Sequence, residues 1–184
     1  MRIRFYLTKA LIRVMRGAKL TAVGEFTAAD GSVHQIYLFH PKKQGSILGQ
    51  TTPWGTVLIS DYIVPDKDLF NFVVLHESRH ASRWFHWYVA LIIIGIVWFN
   101  SIWGNGMLGW VLLIILIALS WYSEYDADAY AIKIVGLNEF KRIMGPYDGP
   151  LTLRRVIFYA WSSLTHPPNS VVIWMFRLTH RGVT

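Results

Sequence analysis

The sequence predicts an α+β fold: a small antiparallel sheet, then a helix that carries the chemistry and continues into a two-helix transmembrane hairpin. Three observations predict it. Short apolar runs punctuated by turn residues occupy Leu20 to Pro65. A His-Glu-x-x-His segment follows at helical spacing, His76 to His80. From Trp84 to Ser123 the chain then contains no Asp, Glu, Lys or Arg, which marks a segment suited to lipid. The 184 residues fit one domain, and 53% hydrophobic with 15% aromatic residues excludes a disordered or collagen-like chain. Absent cysteine excludes a disulfide scaffold, a Cys-ligated zinc ribbon, an iron–sulfur centre and a thiol nucleophile, so any metal must be held by His and carboxylates.

Residues 1–20 read as a basic amphipathic helix lying on a membrane surface. Arg2, Arg4, Lys9, Arg13, Arg16 and Lys19 meet no acid there, and supply six of the seven net charges (18 − 11 = +7). Ile3, Phe5, Leu7, Leu11, Ile12, Val14 and Met15 alternate with them, which fits an anionic lipid surface better than nucleic acid. Cations recurring along the segment leave no clean apolar core for a signal peptide.

Residues 21–64 form a β-rich segment. Val23 to Ala28 and Val33 to Phe39 flank Asp30-Gly31, a hairpin turn in which both central residues can take positive φ. Lys42 to Gly45 is a loop, and Gly55 to Ile59 is a further short strand of β-branched character. Pro65-Asp66 starts a helix, with Asp66 able to cap free amides and Asp68 favourable in the first turn.

Residues 65–136 hold the chemical helix, the hairpin (about 84–122) and a returning helix. Asn100-Ser101 and Gly104 to Gly106 interrupt the apolar run. Each apolar half is near 16 residues, about 24 Å as helix. Trp84, Trp87 and Tyr88, then Trp98 and Trp103, then Trp121, Tyr122 and Tyr125 are placed as interfacial belts. Every Lys and Arg lies outside the hairpin, which puts both termini and the chemistry on the cytoplasmic side. Residues 137–184 form a C-terminal helical part.

On a helix, His76 and His80 leave the same face and can reach one metal ion, with Glu77 beside them as a base for a metal-activated water. A catalytic zinc needs a third protein ligand. In Glu124-Tyr125-Asp126-Ala127-Asp128, Glu124 and Asp128 share a helical face. The midpoint of positions 80 and 124 is 102, inside the predicted turn, so antiparallel helices bring Glu124 level with His80. Asp128, one turn on, can fix the tautomer of a ligand histidine. His34, His40, His86 and His180 have no partner at ligand spacing.

These motifs, followed by Thr165-His166-Pro167-Pro168, resemble the HtpX-type membrane zinc endopeptidases, relatives of the CAAX prenyl proteases, over about residues 54–168. The resemblance implies a minimal gluzincin-like metalloprotease core: Zn2+ on His76, His80 and Glu124, Glu77 as catalytic base, Asp128 supporting a ligand and His166 in the catalytic site as oxyanion donor. It also implies a substrate-binding edge strand ahead of the catalytic helix, here Trp54, Gly55, Thr56, Val57, Leu58, Ile59 and Ser60, pairing with a polypeptide substrate. The expected location is the cytoplasmic membrane of a bacterium or archaeon, with membrane or membrane-adjacent proteins as substrates and no nucleic-acid partner. The family's Asn-Ala-Phe-Ala is replaced by Thr51-Thr52-Pro53-Trp54, and its Arg six residues after the His is Val172, leaving Arg177 as the nearest downstream candidate. The contrasting expectation is a catalytically silent receptor or adaptor that keeps the metal site for binding; an intact Glu77 argues against it.

Overall fold

The computed structural model describes residues 19–27, 31, 33–41, 48–52, 54–83, 89, 91–98, 106–145 and 166–180. The predicted basic helix (1–18), the Lys42 to Gly45 loop, the Trp84 to Tyr88 belt and the hairpin turn (100–105) lie outside those residues. The chain divides into two compact units, Met1–Trp84 and Phe85–Thr184.

In the first unit, β1 (Lys19–Thr27), β2 (Val33–His40), β3 (Gly49–Thr51) and β4 (Val57–Ser60) form a sheet in the order β1-β2-β4-β3. Lys19 and Leu20 belong to β1, so the strand begins inside the predicted N-terminal segment. β1 and β2 make the expected antiparallel hairpin, with Gly31 at φ 81° in the turn, a conformation that glycine adopts without a Cβ clash. Beyond it the sheet is mixed rather than antiparallel, because β2 and β4 run parallel, from Ile36↔Val57 to Phe39↔Ser60. The chain leaves β2, forms β3 one strand further out, and turns back so that β4 enters the gap. Thr52 N–H to Thr56 O, Gly55 N–H to Thr52 O and Thr56 N–H to Thr52 Oγ1, each 2.9 Å, close that turn.

This order corrects the predicted edge strand. Val57–Ser60 is an interior strand, bonded to β2 on one side and β3 on the other, and all four residues are buried. A substrate strand cannot pair there without displacing a neighbour. Trp54, Gly55 and Thr56 lie in the β3–β4 turn region rather than in a strand. Among the described residues the edge on this side is β3.

A 3-10 turn, Asp61–Ile63, leads to α1 (Lys67–Ser82). Asp66 caps α1 as the sequence predicts, its side chain accepting the Leu69 N–H at 3.1 Å. Leu69, Phe72, Val73 and Ala81 are buried along α1, and Val57 and Ile59 are buried on the sheet. Tyr37, Phe39 and Leu58 form a separate cluster, with Leu20 packed against it. The expected continuation of α1 into the apolar run is interrupted: α1 ends at Ser82, and Arg83 has φ −111° and ψ 33°. Ser82 Oγ donates to Arg79 O at 2.8 Å, a local bond that competes with helix propagation.

In the second unit residues 91–98 are helical, and α2 (Gly106–Val135), α3 (Leu137–Met144) and α4 (Asn169–Thr179) follow. Within α2, Gly109–Val135 is long and apolar enough to cross a membrane. It is the one such helix among the described residues, where the sequence predicts two. Its apolar half is exposed, with Trp110 at 70%. Beyond Glu124 the helix turns to small buried residues, Ala127, Ala129 and Ala131, and packs against both α3 and α4. Phe140 of α3 and Val172 and Phe176 of α4 are buried. Gly136, at φ 93°, lets the chain turn from α2 into α3.

Candidate metal centre

α1 brings two imidazoles together. His76 and His80, one turn apart, have their Nε2 atoms 3.1 Å from each other, with ring centroids 4.8 Å apart at 76°. Two donors on a tetrahedral zinc, each at about 2.05 Å, stand about 3.3 Å apart. The pair therefore has the spacing of two ligands on one ion. Phe72, one turn earlier, has its ring centroid 6.3 Å from that of His76.

Glu77 leaves α1 about 100° from His76 and is 8% exposed. Thr51 of β3 meets it. The Thr51 hydroxyl lies 2.8 Å from Glu77 O and 2.9 Å from Glu77 Oε2, so its proton is given to one or shared between both. Gly49, two residues earlier on the same face, has no side chain because none fits: a Cβ there would stand 2.7 Å from both Glu77 Cγ and Val73 Cγ1.

In the second unit, α2 carries Glu124, and the residue before Pro167-Pro168 carries His166. Glu124 Oε2 and His166 Nε2 are 3.2 Å apart, with Glu124 16% and His166 64% exposed at the side chain. Asp128 is half-buried one turn beyond Glu124. Tyr125, beside Glu124, hydrogen-bonds to Thr179 at the end of α4.

His76, His80 and Glu124 could hold a metal ion: each offers one ligand atom, and these atoms lie within 4.8 Å of one another. Two imidazole nitrogens and one carboxylate oxygen form a donor set known from catalytic zinc sites, which leave a fourth position open. The residues fit a metal.

Arg177 does not join this group. It stands in the last turn of α4 and lines a cavity of about 520 Å³ with Val135, Gly136, Leu137, Asn138, Glu139 and Lys141. From Asn169, which follows Pro168, eight helical rises of 1.5 Å carry the chain about 12 Å along α4 before Arg177, which is why it is not beside His166. Thr51 and Gly49 are the residues that sequence reasoning missed. Their signal was a small residue two positions before a hydroxyl, just ahead of the turn.

Comparison of the chain with protein-family models, with curated proteins and with solved structures finds no match. The functional reading therefore rests on the chain's own residues.

Proposed function

We propose that the protein is an integral-membrane zinc metalloendopeptidase that cleaves membrane or membrane-adjacent polypeptides. The observation that carries the reading is that His76, His80 and Glu124 could hold a metal ion, with the carboxylate of Glu77 next in sequence to His76. Zinc, when bound, would supply Lewis acidity, polarising the scissile carbonyl and easing deprotonation of water. Glu77 takes the proton of the attacking water and returns it to the leaving amine. His166 donates a hydrogen bond to the oxyanion. α2, apolar up to Ser123 and carrying Glu124 directly after, supports a site close to the bilayer surface. The uncharged hairpin supports the cytoplasmic side.

Among the described residues β3 is the edge strand on this side of the sheet, and such an edge suits an extended peptide. Ser60 N–H donates to Leu48 O and Thr52 N–H to Thr56 O, both at 2.9 Å. Bonded pairs alternate along an antiparallel ladder, so Gln50 bonds inward to Leu58 while Gly49 and Thr51 turn their amides and carbonyls outward. A substrate strand can add to the groups of Gly49, which is half-buried, whereas Thr51 is buried.

Glu77→Gln tests the reading. The amide keeps the shape and the ligands but cannot take a proton. In detergent, with matched zinc content, the variant should lose casein or self-cleavage by orders of magnitude. A zinc-loaded wild type that cuts nothing, or a variant that cuts equally fast, would leave the receptor reading standing instead.

A further inference from the structure

We propose that Thr51 is the positioning residue for Glu77. The proposal rests on the reading of Glu77 as general base.

A carboxylate at the end of a glutamate rotates about a broad, two-fold torsion, so burial alone does not decide which oxygen points where. A buried carboxylate also requires hydrogen bonds to offset its lost hydration. Thr51 meets both needs. It is 4% exposed, and its hydroxyl stands 2.9 Å from Oε2. Gly49 closes the other side, where the position of a Cβ would lie 2.9 Å from Glu77 Oε1. The side chain is thus gripped by two residues of a three-residue strand. Oε2 is the carboxylate oxygen that faces the Thr51 hydroxyl.

The test uses the full chain in detergent, loaded with zinc, against an unfolded casein substrate. Thr51→Val replaces the hydroxyl by a methyl of the same shape, and Thr51→Ser keeps the hydroxyl. Thr51→Val should lower kcat by about ten- to a hundredfold, the range for residues that orient a catalytic group from behind, with KM and zinc content unchanged. Thr51→Ser should restore kcat. Wild-type kcat in Thr51→Val, or equal losses in both variants, would overturn the proposal, the second because the loss would then follow packing and not the hydroxyl. If the wild type cuts nothing, the protease reading has failed, and a double-mutant cycle in metal-free protein decides the contact. Thr51→Val and Glu77→Leu should then shift Tm non-additively. Additive shifts would show that Thr51 does not hold the Glu77 carboxylate.

Discussion

The two units build their chemical residues by opposite means. In the first, His76, Glu77 and His80 come from five consecutive residues of one helix whose buried face packs on a sheet, and Glu77 is 8% exposed. In the second, Glu124 and His166 are 42 residues apart (166 − 124), and His166 is 64% exposed. Backbone geometry alone presets the first group. The second is placed only as well as α4 packs on α2, through buried Val172 and Phe176 and the Tyr125–Thr179 bond. The difference teaches that ligand spacing is secure where a helix supplies it, and is a tertiary achievement where two segments must meet.

The largest expected effect tests the proposed ligand set. His80→Ala should bring zinc content close to background after dialysis against a chelator, read by atomic emission. Glu124→Ala should also deplete zinc, less completely, since the preset histidine pair survives. Asp126→Ala, on another face of α2, should not. Equal retention in Glu124→Ala and Asp126→Ala would remove Glu124 from the ligand set.

A smaller effect separates catalysis from ligation. His166→Ala should keep zinc while hydrolysis falls by about 10²- to 10³-fold, the worth of one oxyanion donor. Loss of zinc in this variant would place His166 among the groups that hold the metal through Glu124.

The smallest effects compare local supports of the two units. Asp66→Ala removes the cap of α1 and should cost about 1 kcal/mol, read as a lower Tm. Glu139→Gln should shift Tm less, because the Glu139–Arg142 pair on α3 is exposed. The hydrogen bond from Arg142 holds Glu139 below its ordinary value of 4.5. A depressed folded-state pKa contributes stability that is present above the unfolded value and lost as pH falls through the lowered one. The gap between wild type and Glu139→Gln should therefore persist at neutral pH and close in acid. A gap that widens in acid would contradict that sign.

Much of the first unit was legible because its signals are local. Asp66 reads as a cap from its own chemistry, Asp30-Gly31 as a turn from the φ that glycine permits, and His76 and His80 as a pair from helical spacing. The order of the strands was not legible. Gly49–Thr51 is too short to show alternation, so β4 reads as an edge although β3 lies outside it. The break after Ser82 was hidden too, since a serine hydroxyl bonding back to Arg79 leaves no mark in hydropathy. For Glu124 the sequence supplied symmetry about position 102. For Arg177 it supplied proximity to His-Pro-Pro, which a helix converts into distance.

The out-of-order sheet also bears on how the chain is made. β1 and β2 can pair as soon as both have left the ribosome, because their contacts are local. The partner of β2 on its other side is delivered later: Ile36 waits for Val57, 21 residues on (57 − 36). Until then β2 has an open edge beside Ile36, Tyr37 and Phe39, all buried in the finished protein, and such an edge is a template for pairing with other chains. The helix that bears His76 and His80 follows β4 in sequence and packs against it. During synthesis His76 and His80 therefore come after the closing of the sheet, and a nascent chain halted before Val57 is an aggregation hazard with that helix not yet in place.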